Sequence, residues 1–147
     1  MEQITPFSAP ATSGQTISLP AAGLTVLYFY PKDSTPGCTT QAIGFRDHHA
    51  AFAAANVTIV GVSRDSLKSH ENFKAKYELP FELISDPEET VCNLFAVMKL
   101  KNMYGKQVRG IERSTFVIDS AGKILKAWRG LKVPGHVEEV LAFVNSL

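Results

Sequence analysis

The run LTVLYFY at residues 24–30 constrains the fold of this 147-residue chain more than any other feature. It is continuously apolar and rich in aromatic and β-branched side chains, which is typical of a strand covered on both faces. NVTIVGVS at 56–63 has the same pattern, and FELIS at 81–85 is a shorter, weaker example. The chain therefore needs a layer of other elements on each side of its strands.

Helical patterns separate these strands. Residues 38–55 carry apolar side chains at helical spacing, and residues 66–78 form a mostly solvated pattern after the capping candidate Asp65. The next helix is predicted to have Asp86 at its N-cap and Pro87 at its first position. A last helix is indicated by an apolar stripe of Val137, Val140, Leu141 and Val144.

Two hairpins complete the pattern, one predicted within residues 7–19 and one at residues 114–130 with its turn at 120–122. Strands that alternate with helices favour the α/β class, in which parallel strands are connected through helices. The hairpin at 114–130 adds antiparallel strands. We therefore expect a mixed central β-sheet flanked by helices on both faces, as in the thioredoxin-like fold.

Length and composition favour one domain over residues 1–147, because no repeat, low-complexity tract or linker interrupts the chain. The formal net charge of +1 indicates neither nucleic acid nor anionic lipid as a partner. The start MEQITPFSAP lacks the features of a secretory signal, and no run is long enough to span a membrane. We expect a cytoplasmic monomer or weak homodimer.

Cys38 lies in the stretch YPKDSTPGCTTQAIGFRD, directly after the first buried strand. Pro36 is tolerated in a first helical turn, so a helix should begin near Thr35 or Pro36 with Cys38 in its first turn. Free backbone N–H groups and the positive end of the helix then face the sulfur and favour the thiolate. In a reducing compartment this thiol is a candidate nucleophile rather than half of a structural disulfide.

Thr35 and Arg113 are candidate partners of this sulfur. Thr35 lies three residues before Cys38, where its hydroxyl can lie near the sulfur or simply cap the helix. Arg113 precedes the apolar strand 114–118. If that strand is antiparallel to 24–30, Arg113 lies beside Cys38 and its guanidinium can stabilise a thiolate; otherwise it is a solvated flank.

Pro31, Thr35 and Cys38 form the pattern PxxxTxxC, and together with Arg113 they resemble the active-site signature of the peroxiredoxins. The segments YPKDSTPGCTTQAIGFRD, FELISDPEETVCNLFAV and YGKQVRGIERSTFVIDSAGKI are similar to the bacterioferritin comigratory protein branch, also called peroxiredoxin Q. The resemblance extends from about residue 5 to the end of the chain.

This resemblance implies that Cys38 is the peroxidatic cysteine, whose thiolate attacks a peroxide oxygen and becomes a sulfenic acid. Thr35 would hydrogen-bond the thiolate and orient the peroxide, and Pro31 would shield the pocket. Arg113 would stabilise the thiolate and the charge that spreads over the two peroxide oxygens. The N–H groups of Gly37 and Cys38 would bind peroxide oxygen. The implied substrates are hydrogen peroxide and small organic hydroperoxides, and no metal or organic cofactor is implied.

One departure concerns the second thiol. Many members of the branch carry a resolving cysteine five residues after the first, where this chain has Ile43. Cys92, the other cysteine, has apolar neighbours typical of a buried side chain, and it could resolve the sulfenic acid only if it approached Cys38. The favoured reductant is an external thiol, from thioredoxin or from glutaredoxin with glutathione.

Two other functions remain open, a peroxide sensor with little turnover and a thiol–disulfide exchange protein. The second is disfavoured, because that chemistry uses CxxC and the residue three after Cys38 is Gln41. The four histidines, His48, His49, His70 and His136, show no ligand spacing, and the last two lie in unrelated polar contexts. Lys99, Lys101 and Lys106 are predicted to lie in a solvated loop, where they could also dock a reductant protein.

Overall fold

The computed structural model describes residues 2–147, and of Met103 the backbone alone. Within these residues the strands are Phe7–Pro10 (β1), Thr16–Leu19 (β2), Leu24–Phe29 (β3), Val57–Ser63 (β4), Glu82–Ser85 (β5), Met98–Met103 (β6), Lys106–Ile111 (β7), Ser114–Ile118 (β8) and Ile124–Arg129 (β9). The helices are Pro36–Asp47 (α1), His49–Ala54 (α2), Leu67–Tyr77 (α3), Thr90–Leu94 (α4) and His136–Asn145 (α5). None of these helices is long and apolar enough to cross a bilayer.

Five of the strands form the central sheet in the order β5-β4-β3-β8-β9. β3 is parallel to β4, β4 is parallel to β5, and β8 is antiparallel to both β3 and β9. The predicted α/β class with a mixed central sheet is therefore confirmed. The hairpin predicted within residues 7–19 is also present, as the antiparallel pair β1–β2.

Side chains of β3 alternate between two buried clusters, one on each face of the sheet, because successive strand residues point to opposite faces. Val26, Tyr28 and Tyr30 pack against side chains of α1, α2, α3 and α5. Leu27 and Phe29 pack on the other face, against α4 and the β1–β2 hairpin. This explains why the run 24–30 has no polar face.

The pairing of β3 with β8 brings distant parts of the chain together. Ser114 lies opposite Phe29 in the antiparallel register. Arg113 therefore precedes β8 at the edge of the sheet where β3 ends and leads into α1. The antiparallel arrangement that the sequence left conditional is present.

The helix predicted over residues 38–55 is interrupted at His48, which leaves the helical conformation with φ −102° and ψ 5°. The His48 ring Nδ1 lies 2.9 Å from the carbonyl oxygen of Gly44, to which the His48 backbone N–H also donates. Two helices, α1 and α2, result because this residue ends the first one.

Two predicted helix starts are wrong by a few residues. Ser66, not Asp65, caps α3, and its hydroxyl oxygen accepts from the Ser69 N–H at 3.2 Å. α4 begins at Thr90 rather than at Pro87, because residues 86–89 form a turn. The Asp86 carboxylate still accepts from two N–H groups of that helix, those of residues 91 and 92.

The lysines predicted to lie in a solvated loop belong instead to the hairpin β6–β7. Tyr104 and Gly105 form its turn with φ values of 53° and 77°. Two successive positive φ values are typical of the two-residue turns that match the twist of a hairpin. The three lysines lie on exposed strand positions, so the solvated part of the prediction is confirmed and the loop is not.

Candidate active site

Cys38 is the third residue of α1, which begins at Pro36 directly after Thr35 at the N-cap. Proline at the first position is favourable, since its missing N–H has no partner in a helix in any case. The N–H groups of Gly37 and Cys38 therefore lie in the first turn, where no carbonyl oxygen of the same helix can accept from them. Together with the positive end of the helix they form an environment that favours an anion.

The Thr35 side chain does not cap this helix. Its hydroxyl instead donates to the carbonyl oxygen of Lys32 at 2.8 Å. The alternative of a simple capping role is therefore wrong for its side chain. Because the hydroxyl hydrogen is used in this bond, the oxygen lone pairs of Thr35 remain free to accept from a further donor. The Thr35 side chain also accepts no hydrogen bond from the first-turn N–H groups of α1.

Arg113 lies against the sulfur. Its Nη2 donates to Cys38 Sγ at 3.2 Å, and its Nη1 donates to Gln41 Oε1 at 3.0 Å. The planar guanidinium thus contacts two side chains of α1 that lie 75 and 72 positions away in the sequence. The guanidinium therefore places a permanent positive charge beside the sulfur.

Gln41 was not among the residues that the sequence pointed to for this role. It lies three positions after Cys38, so the two side chains share one face of the helix. Gln41 is fully buried, and its Nε2 atom has no hydrogen-bond partner among the described residues. The i, i+3 spacing indicates that Gln41 shares a helix face with Cys38, but the role of Gln41 follows only from the position of Arg113.

Gly37 leaves room for the guanidinium. A Cβ atom at this position would lie 2.8 Å from Arg113 Nη2, which is shorter than van der Waals contact allows. Any larger residue would have to push the arginine away from the sulfur. The glycine in the stretch TPGC is thus explained by the close approach of a side chain rather than by its own φ.

The Cys38 sulfur lies in a closely packed environment. Cys38 is only 1% exposed, while Pro31 and Thr35 are half-buried beside it in sequence. A cavity of about 360 Å³ is lined by residues of β2, α2 and β4 and does not include Cys38. Little of Cys38 is therefore in contact with solvent.

Cys92 lies on the other face of the central sheet. It is fully buried in the cluster that contains Leu27 and Phe29, whereas Cys38 belongs to the opposite cluster, and both thiols are free. Burial, with a smaller contribution from the Asp86 carboxylate, raises the pKa of Cys92 far above its ordinary value. The environment of Cys92 is that of a packed, protonated side chain.

The histidines are placed differently from the polar contexts expected for two of them. His70 is fully buried and hydrogen bonded to Asp33, and His136 is 4% exposed. The Nε2 atom of His136 is hydrogen bonded to the Thr115 hydroxyl at 2.8 Å. Both of these histidines connect a helix to the sheet or to a loop, which only the tertiary structure could show.

His136 should make the stability of the protein depend on pH. Burial is the largest effect and lowers the pKa of His136, although Glu139 and Glu138 act in the opposite direction. The unfolded chain gains a proton there as the pH falls through about 6.5, whereas the folded protein gains it only at lower pH. We therefore expect the free energy of unfolding to decrease below about pH 6.5, by up to about 1.4 kcal/mol per pH unit.

Urea unfolding of the native protein and of His136→Gln at about pH 7.5 and about pH 5.5 measures this effect. The glutamine variant has no proton to gain at this position, so it should lose less stability on acidification. Equal pH dependence in the two proteins would contradict the assignment.

Comparison with known proteins places this site in a wider context. The sequence model described as the AhpC/TSA family matches residues 1–127. The peroxiredoxin Bcp of Xanthomonas campestris is 51% identical over 141 residues, which cover 96% of this chain and 88% of that protein. The peroxiredoxin Bcp of Bacillus subtilis is 52% identical over 122 residues, covering 83% of this chain and 78% of that one.

Solved structures agree with this similarity. The Xanthomonas campestris bacterioferritin comigratory protein, studied for its alkyl peroxide reduction activity, superposes with a TM-score of 0.91 at 48% identity. That match covers 95% of this chain and 90% of the other. A cysteine-to-serine variant of the Xylella fastidiosa PrxQ superposes with a TM-score of 0.92 at 41% identity, covering 99% and 96% of the two chains.

Proposed function

The chain belongs to the AhpC/TSA family, as a thiol-dependent peroxidase of the peroxiredoxin Bcp branch with a thioredoxin-like fold, and we propose that Cys38 is its peroxidatic cysteine. The observation that carries this assignment is the distance of 3.2 Å between Arg113 Nη2 and Cys38 Sγ at the open first turn of α1. Among the described residues no guanidinium donates a hydrogen bond to the Cys92 sulfur, and burial on the other face of the sheet raises the pKa of Cys92 despite the opposing charge of Arg64.

In the proposed reaction the Cys38 thiolate attacks one oxygen of the peroxide. A sulfur–oxygen bond forms while the oxygen–oxygen bond breaks, and the departing oxygen takes up a proton and leaves as water or an alcohol. Cys38 is oxidised to a sulfenic acid and the peroxide is reduced. The sulfur itself supplies both electrons, so the step uses no metal or organic cofactor.

The surrounding groups have distinct proposed roles. Arg113 stabilises the thiolate and then the charge that spreads over the two oxygens. The Thr35 oxygen accepts from the peroxide O–H, since its own hydrogen is donated to the Lys32 carbonyl. The N–H groups of Gly37 and Cys38 donate to a peroxide oxygen, and Pro31 shields the sulfur from bulk water.

We further propose hydrogen peroxide and small organic hydroperoxides as substrates. The 1% exposure of Cys38 favours a small reactant. Alkyl peroxide reduction is named for the Xanthomonas campestris protein, and we extend that substrate class to this chain on the basis of the shared fold and 48% identity.

The second half of the cycle needs an external thiol in this proposal. Cys92 and Cys38 lie in clusters on opposite faces of the sheet, and the raised pKa of Cys92 keeps it in the unreactive thiol form. A disulfide between them would require their Cα atoms to come within about 7 Å, so at least one helix would have to leave the core. Thioredoxin, or glutathione with glutaredoxin, would instead attack the sulfenic acid.

Mass spectrometry after one equivalent of peroxide tests this step. Without added thiol we expect a sulfenic acid on Cys38 that dimedone traps, in the native protein and equally in Cys92→Ala. With glutathione and glutaredoxin, or with thioredoxin and its reductase, the alanine variant should turn over at the native rate. A disulfide between Cys38 and Cys92 would contradict external reduction, while a single oxidation without turnover would favour the sensor function.

The expectations of a single domain over residues 1–147, of a monomer or weak homodimer and of a cytoplasmic location stay predictions. A basic hairpin that docks a reductant protein through Lys99, Lys101 and Lys106 also stays a prediction.

A further inference from the structure

The loop between β3 and α1 contains a buried carboxylate that the proposed reaction does not use. Asp33 is 6% exposed, and its two oxygens accept three side-chain hydrogen bonds. The Tyr30 hydroxyl donates to Oδ1 at 2.6 Å, and the Ser69 hydroxyl and His70 Nδ1 donate to Oδ2 at 2.8 Å and 2.7 Å. One carboxylate therefore joins the end of β3, the loop and α3.

His70 continues this network to the sheet. It is fully buried, and its Nε2 lies 2.9 Å from the carbonyl oxygen of Ile84 in β5. A carbonyl oxygen and a carboxylate are both acceptors, so each ring nitrogen of His70 faces an acceptor. Burial alone would raise the pKa of Asp33, but the hydrogen bond and charge of His70, helped by Tyr30 and Ser69, lower it. The two residues thus form a buried hydrogen-bonded pair.

Asp65 holds the same loop from a second direction. Its Oδ2 accepts from the Asp33 backbone N–H at 2.9 Å and from the Ser63 hydroxyl at 2.6 Å. Ligand atoms of Asp33, Asp65 and His70 lie within 4.8 Å of one another, a spacing that could suggest a metal site. These hydrogen bonds already account for the spacing, so the cluster is explained as a network within the protein.

The loop needs such support. Ser34, which follows Asp33, has φ 63°, a left-handed conformation that costs a non-glycine residue free energy. A buried polar pair adds little net stability compared with apolar residues of the same size, because desolvation offsets the attraction between its members. The pair does supply a defined geometry, since a carboxylate with three side-chain hydrogen bonds deep in the core has few alternative positions.

The segment held in this way carries two residues of the proposed active site. Pro31 and Thr35 lie on either side of Asp33 in sequence, two positions away from it in each direction. The orientation of the Thr35 hydroxyl depends on the path of this loop, because the hydroxyl donates to the carbonyl oxygen of Lys32, the residue directly before Asp33. A shift of the loop would therefore turn the Thr35 lone pairs away from the peroxide.

We propose that Asp33 and His70 are positioning residues for peroxide reduction, because their buried hydrogen-bonded pair holds Pro31 and Thr35 in place over the Cys38 sulfur. This inference rests on the proposed function of Cys38. In the described part of the chain neither residue of the pair is hydrogen bonded to the sulfur, so the pair acts through the loop and not on the thiolate.

Two reactions of the same sulfur separate these roles. Peroxide reduction requires the thiolate and the oriented peroxide, whereas alkylation by iodoacetamide requires the thiolate but no help from Thr35. In a Cys92→Ala background, where Cys38 is the one remaining thiol, Asp33→Asn should lower the second-order rate constant for hydrogen peroxide about tenfold to a hundredfold. The rate constant for iodoacetamide at pH 7 should change by less than about twofold.

Tyr30→Phe provides a milder variant if Asp33→Asn does not fold, because it removes one hydrogen bond to the carboxylate and keeps the ring. It should show a smaller loss of peroxide reactivity, again with alkylation unchanged. His136→Gln is the matched control, since it alters another buried histidine that lies outside this loop, and both rate constants should match those of the parent.

Unchanged peroxide reactivity in folded Asp33→Asn and Tyr30→Phe would overturn the proposal, because the pair would then serve stability alone. A parallel loss of both reactions would overturn it too, since the pair would then act on the sulfur and not on the loop. Absence of peroxide reduction in the native protein, with alkylation of Cys38 still observed, would reject the proposed function and the inference with it.

Discussion

Replacing Cys38 by serine is expected to abolish peroxide consumption. The serine hydroxyl occupies nearly the same space, but it stays protonated at neutral pH and has no low-energy route to an oxidised state. Loss of a covalent nucleophile commonly costs about 10⁴-fold to 10⁶-fold in rate. The measurement is hydrogen peroxide consumption with a thiol reductant present, compared with the reductant alone.

Cys92→Ser is the matched control for this variant. It makes the same chemical change at the other cysteine, on the opposite face of the sheet. We expect the folded Cys92→Ser variant to consume peroxide at the native rate. A hydroxyl at this buried position should nevertheless lower the free energy of unfolding. Peroxide turnover by Cys38→Ser would show that the nucleophile has been assigned to the wrong thiol, whereas loss of turnover in folded Cys92→Ser would show that Cys92 takes part in the cycle.

Arg113→Ala is expected to slow peroxide reduction by about 10²-fold to 10³-fold, a loss typical of removing one group that stabilises charge in a transition state. The guanidinium donates to Cys38 Sγ at 3.2 Å and is held by Gln41 at 3.0 Å. Its removal therefore takes away both the charge beside the thiolate and the donor for the developing oxyanion. Stopped-flow measurement of the reaction with hydrogen peroxide gives the rate constant.

Arg113→Lys distinguishes the charge from its geometry. Lysine keeps a positive charge but cannot donate to Cys38 and Gln41 from one rigid planar group. We expect it to recover part of the loss measured for alanine, and the iodoacetamide rate at pH 7 to recover further than the peroxide rate. Native kinetics in Arg113→Ala would remove this residue from the proposed mechanism.

The sequence predicted those parts of the fold that depend on local periodicity. The apolar run at residues 24–30 indicated a strand buried on both faces, and β3 is such a strand at the centre of the sheet. Pro36 correctly indicated the start of α1, because proline is restricted to the first helical turn. The hairpin predicted at 114–130 is also present, with Gly122 at φ 85° in its turn.

Helix ends and hairpins were predicted less well where two local signals competed. Asp65 and Ser66 are both good capping residues, and Ser66 has this role because Asp65 is used by the Asp33 loop. The hairpin β6–β7 was interpreted as a loop, since its lysines obscured the alternation of its strands. Its turn at Tyr104 and Gly105 was the signal that could have identified it.

Sequence alone determined that Cys38 lies in the first turn of a helix that follows a buried strand in the chain, because both features depend on residues that are close in sequence. The tertiary structure decided which distant side chains meet there. Arg113 lies at the sulfur only because β8 pairs with β3 in one antiparallel register, and Cys92 lies on the far face because of the way α4 packs. Register and packing are set by the whole core at once, so no short pattern in the sequence contains them.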